Sequence, residues 1–303
     1  PPRSTLFPYT TLFRSEGIHF DLTYFPLKHL GYKAVIVNLS DVYAMNAIPT
    51  QITVSLGISK RFCVEDLEEL YAGIKLACER YNVDLVGGDT SSSFTGLTIS
   101  VTAIGEANES DIVYRNGAQV NDLICVTGNL GAAYMGLQLL EREKKVFENN
   151  GTAKPQLKDY EYILERILKP EARKNIIDAL KEKGIKPTSM IDISDGLSSE
   201  LLHICKNSDK GCRVYLEKIP IDEQTSKMAE ELGIEPSIAA LNGGEDYELL
   251  FTVPISNLEA IAQIKGVSII GHITEATKGA YLVTPSEDEI KLTAQGWNAL
   301  KHK

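Results

Sequence analysis

The chain has 303 residues, a formal net charge of −10 and 43% hydrophobic residues, enough for two domains that each have a core. Its longest apolar runs are far too short to cross a bilayer, and no cluster of lysine and arginine stands out, which argues against membrane and nucleic-acid partners. A nucleotide is compatible with this charge, because carboxylates bind phosphate groups through Mg²⁺.

The five cysteines are odd in number and show no CxxC spacing. Four of them lie in apolar or periodic contexts, which predicts ordinary buried thiols. This usage favours a reducing compartment, and we expect a cytoplasmic protein.

The first fifteen residues, "PPRSTLFPYTTLFRS", contain three prolines and the triplet TLF twice, without helical or strand period. The segment resembles a translated vector or adapter fragment fused to a gene fragment. We therefore predict that residues 1–15 are non-native and disordered, and a genuine flexible N-terminal arm is the alternative.

Residues 16–117 are predicted to form a first domain. Its helix has apolar residues at spacings of three and four, over "VEDLEELYAGIKLACERYN". A short helix stopped by Pro49 is also expected, after a strand that ends at Ser40-Asp41. The predicted strands are apolar or alternating runs: Lys33–Leu39, Gln51–Ile58, Asp84–Val86 and Leu97–Gly105.

Residues 118–303 are predicted to form a second domain. It begins with strand, glycine turn and helix in "NDLICVTGNLGAAYMGLQLL", followed by an exposed loop over Glu141–Lys158. Two helices follow, the second with Pro170 in its first turn. Further elements are expected over Leu197–Cys205 (helix), Arg213–Leu216 (strand) and Glu223–Leu232 (helix). Strands and helices alternate without a strict βαβ rhythm, which predicts an α+β fold of two domains with mixed sheets.

Three segments are predicted to run an apolar strand into an aspartate: "VNLSD" (37–41), "DLVGGD" (84–89) and "MIDISD" (190–195). If Asp41, Asp89, Asp192 and Asp195 converge, their charges repel unless cations compensate. Carboxylates at strand ends are suited to a hard cation. The alternative is that each aspartate caps the helix or turn that follows, and the residues alone leave both interpretations open.

Two glycine-containing turns could bring backbone N–H groups to an anion, Gly87-Gly88 and "TGNLGAA" (127–133). Neither is a Walker A or dinucleotide motif, and a plain turn explains each. Ordinary explanations also exist for His19 as a packed or surface residue, for Trp297 as an anchor of the C-terminal segment, and for "GGEDYELLF" (243–251) as a solvated turn before a strand.

Seven motifs occur along the chain in this order: "EGIHFDL" (16–22), "SDVYAMNAIP" (40–49), "LVGGDTSSS" (85–93), "RNGAQVNDLICVTGNLGAAYMGL" (115–137), "MIDISDGLSSEL" (190–201), "LNGGEDYELLFTV" (241–253) and "AQGW" (294–297). Together they resemble the thiamine-monophosphate kinase family. This family lies within the superfamily of aminoimidazole-ribonucleotide synthetase-like enzymes. The resemblance covers essentially all of residues 16–303.

The resemblance implies ATP-dependent phosphorylation of thiamine monophosphate to thiamine diphosphate, several Mg²⁺ ions and a homodimer formed through the N-terminal domains. Matching positions assign the four aspartates as Mg²⁺ ligands. They assign Gly88, Asp89, Arg115 and Ser194 to ATP, with Arg115 as a charge stabiliser. His19, Glu245 and Trp297 match the thiamine-phosphate side, where Trp297 is a candidate for stacking on a thiamine ring. No residue is implied as acid or base.

The chain departs from the family at Leu12, where relatives carry an aspartate four residues before the glutamate of "EGIHF". The family's initial Gly-Asp-Asp segment is also not found, and Glu200 replaces a common aspartate. We therefore expect an incomplete metal cluster, a first domain without its first strand or two, and a chain that is inactive as written. The alternatives are a purine-pathway cyclo-ligase, a selenophosphate or hydrogenase-maturation type of enzyme, or a nucleotide-binding module without transfer activity.

Overall fold

The computed structural model describes residues 5–151 and 154–294, which form two compact units. The first unit takes the chain up to Ile112 together with Leu140–Gln156 and Leu168–Ala172. The second takes Val113–Leu139, Leu157–Ile167 and the chain from Arg173 onwards. The predicted α+β class with mixed sheets is confirmed, but the chain does not divide once at residue 118, because two later segments belong to the first unit.

The first unit contains a five-stranded mixed sheet whose strands are β1 (Thr5–Leu6), β2 (Tyr9–Ser15), β3 (Ile48–Ile58), β4 (Asp84–Ser92) and β5 (Thr98–Asn108). The order is β1-β5-β3-β4, and β2 also pairs with β5. Strands β3 and β4 are parallel, and the other pairs are antiparallel. The predicted strands at residues 51–58 and 97–105 are confirmed, and the strand that starts at Asp84 continues through the glycines to Ser92.

Within the segment predicted to be disordered, the described residues include two strands, Thr5–Leu6 and Tyr9–Ser15, so disorder is wrong for these residues. Strand β2 pairs with β5 along its whole length, from Tyr9 opposite Ile104 to Ser15 opposite Thr98. One face of β2 is partly buried and the other exposed. The three prolines of the segment and its repeated TLF triplet obscured this alternation, and the long partner β5 supplies the hydrogen bonds that a short sequence run does not reveal.

Two long helices belong to the same unit, α1 (Leu27–Ala44) and α2 (Val64–Tyr81). The helix predicted around residues 64–81 is confirmed. The strand predicted over Lys33–Leu39 is wrong, because these residues are the centre of α1 and are buried almost completely. A helix that is buried on all sides shows no amphipathic period, and a short apolar run then has the same appearance as a buried strand.

The second unit contains a seven-stranded mixed sheet of order β12-β11-β8-β10-β6-β9-β7. Its strands are β6 (Leu123–Thr127), β7 (Ser189–Asp192), β8 (Lys210–Tyr215), β9 (Leu249–Val253), β10 (Val267–Glu275), β11 (Ala280–Val283) and β12 (Glu289–Lys291). Only the β8–β11 pair is parallel. Helix α6 (Leu197–Ser208) packs its buried face, including Leu197, Leu201 and Ile204, in the same apolar core as Ile124 and Leu250.

The remaining helices are α3 (Ala132–Asn149), α4 (Glu161–Leu168), α5 (Lys174–Glu182), α7 (Glu223–Glu231), α8 (Pro236–Asn242) and α9 (Leu258–Ala262). The exposed loop predicted over Glu141–Lys158 is wrong in its first half, because α3 continues to Asn149. Helix α5 begins four residues after Pro170 rather than around it. Helix α8 was not predicted.

Four of the cysteines are buried and Cys63 is exposed, all as free thiols, which confirms the prediction of ordinary buried thiols. Within the described part of the chain, no helix combines the length and the apolar character needed to cross a membrane.

Candidate functional site

The loop after β7 gathers the acidic motif of the second unit. Strand β7 ends at Asp192, which is buried, and the chain then passes through Ser194 and the exposed Asp195 before α6 begins at Leu197. The prediction of a strand that ends in this motif is confirmed. Gly196 precedes the helix with φ of 107°, a conformation that only glycine adopts readily.

Asp195 does not cap α6 through its side chain: the position before the helix is Gly196, and it has no side-chain cap. Instead the backbone N–H of Asp195 donates to Glu200 Oε1 at 3.0 Å. Burial raises the pKa of Glu200 to about 7, and the nearby charge of Arg115 acts in the opposite direction. The capping interpretation is therefore wrong for Asp195, which leaves its exposed carboxylate available to a ligand.

Arg115 lies beside this loop within the same unit. The backbone oxygen of the preceding Tyr114 accepts from Met190 N at 3.0 Å, which extends the edge of β7. The Arg115 side chain is exposed. The predicted ATP residue Arg115 thus follows a residue that is hydrogen-bonded to β7, the strand that leads into Ser194 and Asp195.

The "GGEDYE" segment lies directly against the same loop, by backbone hydrogen bonds. Glu245 N donates to Ser194 O at 2.8 Å, and Tyr247 N donates to Ile193 O at 2.9 Å. Ile193 N donates to Glu248 O at 2.7 Å. Glu245 was predicted on the thiamine-phosphate side, and its backbone is joined to the acidic loop. The interpretation of this segment as a solvated turn is wrong for Asp246 and Glu248, which are fully buried.

Asp246 occupies the anion position of the "TGNLGAA" turn. Its carboxylate accepts from Gly131 N at 2.7 Å and from Ala133 N at 3.3 Å, at the start of α3. Burial raises the pKa of Asp246 to about 7, against the effect of these donors and of the Arg166 charge. The two N–H groups that the sequence suggested for an external anion thus bind a side chain of the protein.

Glu248 lies at the centre of a buried ionic cluster that sequence analysis missed. Arg166 Nη2 donates to Glu248 Oε1 at 2.7 Å, Arg173 donates to both carboxylate oxygens, and Thr127 Oγ1 donates to Oε2. Arg166 Nη2 also donates to Asp246 O at 2.8 Å. A signal existed in the sequence: Arg166 follows Ile163 by three residues in α4, so a charge lies on the buried face of that helix.

Asp41 belongs to the first unit and lies in α1, not at the end of a strand. Its Oδ2 accepts from Thr10 Oγ1 in β2 at 2.7 Å. One turn earlier, Asn38 Oδ1 accepts from Leu12 N at 3.1 Å. The strand-end arrangement predicted for this aspartate is therefore wrong, while the half-buried carboxylate is positioned by a helix and by β2.

Asp89 is exposed in the second half of β4, beside Gly88. Gly88 has φ of 156°, and a Cβ atom there would lie 1.8 Å from Val54 O of the parallel strand β3. Close backbone approach to β3 therefore requires this glycine. A surface depression of about 520 Å³ is lined by Tyr71 and by the residues from Leu85 to Thr90.

His19 is exposed in the first unit, where its Nδ1 accepts from Ser15 N at 3.1 Å. Trp297 lies outside the described residues. Of the predicted site residues, Asp41, Gly88, Asp89 and His19 belong to the first unit, and Arg115, Asp192, Ser194, Asp195 and Glu245 to the second.

The donor chemistry fits Mg²⁺. The four aspartates offer hard oxygen ligands, and three of them are at least partly accessible. In residues 5–151 and 154–294, no three His, Cys, Asp or Glu side chains form a group that could hold a metal ion. Mg²⁺ usually binds through one or two carboxylates, several waters and substrate phosphates rather than in an all-protein cage, so such a cluster is not required.

Comparison with known proteins defines the class first. Residues 9–107 match the family description "AIR synthase related protein, N-terminal domain", and residues 119–283 match "AIR synthase related protein, C-terminal domain". A crystal structure of hydrogenase maturation protein HypE in complex with ATP shares the fold, with a TM-score of 0.78 over 96% of this chain and 86% of that chain at 18% identity.

The thiamine-monophosphate kinase of Aquifex aeolicus is 34% identical over 288 residues, which are 95% of this chain and 86% of that protein. The structure described as "AaThiL complexed with AMPPCP and TMP" superposes with a TM-score of 0.84 at 32% identity, over 97% of this chain and 87% of that chain. The chain belongs to the thiamine-monophosphate kinase family.

Proposed function

We propose that this protein transfers the γ-phosphoryl group of ATP to the phosphate of thiamine monophosphate, giving thiamine diphosphate and ADP. The observation that carries the proposal is the match over nearly the whole chain to a structure described as complexed with AMPPCP and TMP. In the second unit, the acidic loop after β7 and Arg115 supply the carboxylates and the positive charge that this reaction requires.

The chemistry explains why no acid or base stands out among the site residues. A phosphate monoester is already an anionic nucleophile near neutral pH, so the protein must align two anions and reduce their repulsion. In the proposal, Asp41, Asp89, Asp192 and Asp195 hold Mg²⁺. When bound, these several Mg²⁺ ions would neutralise phosphate charge and orient the phosphates. Arg115 contributes a fixed positive charge on an exposed side chain whose field reaches Glu200, the residue that accepts from Asp195 N.

The remaining assignments follow the same proposal. Gly88, Asp89, Arg115 and Ser194 contact ATP, and His19, Glu245 and Trp297 contact thiamine monophosphate. His19 is suited to this role because its ring is exposed. Glu245 N donates to Ser194 O, so a residue proposed to contact thiamine monophosphate is hydrogen-bonded to a residue proposed to contact ATP.

In this proposal, the activity of the chain depends on position 12. Thr10 and Leu12 are two residues apart in β2 and share one face, where Thr10 contacts Asp41 and the Leu12 backbone contacts Asn38. A carboxylate at position 12 would therefore project from the same face as the Asp41 contact. A leucine supplies no metal ligand there, which favours a second candidate function, a nucleotide-binding module without transfer activity.

The test is conversion of thiamine monophosphate to thiamine diphosphate in the presence of MgATP, by the full chain and by Leu12→Asp. Product from both, with a gain for Leu12→Asp, supports the kinase and the role of position 12. ATP-dependent thermal stabilisation without product from either supports the binding module. Product from purine intermediates in place of thiamine monophosphate would show that the substrate assignment is wrong.

We also propose a homodimer formed through the first unit. Strand β4 has β3 as its only partner among the described strands, and its outer residue Val86 is 53% exposed. An open strand edge of nine residues favours association with another chain. Light scattering after gel filtration should give twice the monomer mass, and Val86→Lys should shift the distribution towards monomer. A monomer at high concentration would contradict this proposal.

A further inference from the structure

The segment that contacts the acidic loop has an unusual backbone. Glu245 and Tyr247 have φ values of 68° and 50°, so two non-glycine residues of this short segment lie in the left-handed region. Each such residue costs about 1–2 kcal/mol relative to the right-handed conformation. Backbone strain of this kind persists only where the surroundings hold it, and it is concentrated at functional sites.

The surroundings that hold this segment are the ionic cluster of Glu248. The carboxylate is fully buried and takes hydrogen bonds from two guanidinium groups and from Thr127. It also lies directly against Gly128, where an added Cβ would lie 2.1 Å from Glu248 Oε1. Arg166 then reaches back to the carbonyl of Asp246. The cluster therefore holds the strained stretch at Asp246 and at Glu248, on either side of Tyr247.

The strained stretch in turn fixes the acidic loop. Three backbone hydrogen bonds join Ile193 and Ser194 to residues 245–248. A Cβ on Gly244 would lie 2.4 Å from Ser194 O, so the two backbones are in contact with no side chain between them. Any relaxation of residues 245–248 must move Ser194 and Asp195.

Stability alone does not account for such a cluster. Burying charges costs several kcal/mol per ion, and replacing a buried ionic group with apolar residues is often neutral or stabilising. A planar guanidinium bound through two nitrogens restricts geometry more than an apolar contact does.

We propose that Glu248, Arg166 and Arg173 are positioning residues, which hold residues 193–195 in the conformation that binds the nucleotide phosphates. This inference rests on the proposed function, because it assigns the loop to ATP. None of the three residues is assigned a contact with ligand, and their effect passes through the backbone of residues 244–248.

The experiment compares Glu248→Gln and Arg173→Met with Arg173→Lys, which keeps the charge but loses the two-nitrogen contact. Glu171→Gln is the matched control. Its carboxylate, which is partly buried, accepts from Tyr81 at 2.6 Å and from Tyr32 at 3.0 Å. Like Glu248 it accepts several hydrogen bonds, but it belongs to the first unit. Calorimetric titration with Mg²⁺ and AMPPCP measures the dissociation constant, and amide hydrogen exchange of Asp195 and Glu245 measures the order of the loop.

For Glu248→Gln and Arg173→Met we expect about a tenfold weaker dissociation constant and faster exchange at both amides, with an intermediate result for Arg173→Lys. Glu171→Gln should lower Tm with neither change. Variants that lose Tm but keep wild-type affinity and exchange would overturn the inference. If wild type fails to bind AMPPCP, the proposed function is wrong, and the exchange data then decide the positioning role alone. Should Glu248→Gln not fold, Thr127→Val removes one donor to the same carboxylate and is measured in its place.

Discussion

Asp192 and Asp41 are assigned to the same role, but the two units hold them differently. Asp192 ends strand β7, and the residues after it are hydrogen-bonded to the strained 245–248 stretch, which contacts a buried ionic cluster. Asp41 lies within an 18-residue helix, and its Oδ2 accepts from the hydroxyl of Thr10 in the neighbouring strand β2. One carboxylate depends on a network of long-range contacts, and the other on regular secondary structure.

This difference indicates where each unit tolerates change. In the first unit, the backbone of a helix or strand places the acid, so only mutations that distort that element move it. In the second unit, many residues remote from the ligand contribute to the position of the loop. Coupling between sites is carried by such packed and hydrogen-bonded networks. We therefore expect binding defects from distant substitutions mainly in the second unit.

The largest expected effect comes from Asp192→Asn. Loss of a carboxylate that stabilises phosphoryl transfer should lower kcat/KM for thiamine monophosphate by about 10²–10³, or roughly 3–4 kcal/mol. Steady-state assays with MgATP measure this. Asp209→Asn is the control, because Asp209 caps α6 with φ of 53°, a conformation that asparagine also adopts. Activity of Asp192→Asn close to wild type would contradict the metal assignment.

Gly88→Ala tests the close contact between β3 and β4, the strand that carries Asp89. The added Cβ would meet Val54 O and φ would remain unfavourable, which should destabilise the first unit by about 2–4 kcal/mol. Gly87→Ala is the matched neighbour, since its Cβ would meet nothing within 4 Å. Urea unfolding should separate the two variants. Equal stability of both would show that the β3–β4 contact is not as close as described.

Asp246 makes the second unit sensitive to pH. Its pKa is raised from 3.8 to about 7 by burial, so between these values the folded state binds more protons than the unfolded state. Stability is therefore greatest below the unfolded pKa and falls as pH rises, by about 2 kcal/mol between about pH 5.5 and pH 7. Asp246→Asn should remove this decline in chemical denaturation. A difference between the two proteins that stays constant with pH would contradict the raised pKa.

The smallest of these effects is expected for Arg115→Gln. Its guanidinium is exposed and screened by water, so we expect about a tenfold increase in KM for ATP, or roughly 1.4 kcal/mol, with little change in Tm. Lys206→Gln, an exposed cation in the last turn of α6, should leave KM unchanged. A larger effect at high salt than at low salt would argue against a charge interaction.

The sequence was most informative where amphipathic or alternating patterns were present. Helix α2, strand β5 and the strand that ends in Asp192 follow from local residue order. The prediction that Asp41 ends a strand was wrong, because α1 is buried on nearly every side and its apolar run has no helical period. Strand β2 was predicted to be disordered, because its strand conformation depends on pairing with β5. These two errors have a common cause: a short stretch of sequence does not show how deeply it will be buried or which strand it will pair with.

The acidic motifs, the family and the α+β class were determined by the sequence itself, because residue type and order carry them directly. The tertiary structure alone decided that Asp246 fills the "TGNLGAA" turn and that Glu248 joins Arg166 to Arg173. Arg166 and Glu248 are 82 residues apart. Contacts at that separation arise because the fold places α4 next to the residue before β9, and no spacing rule along the chain predicts them.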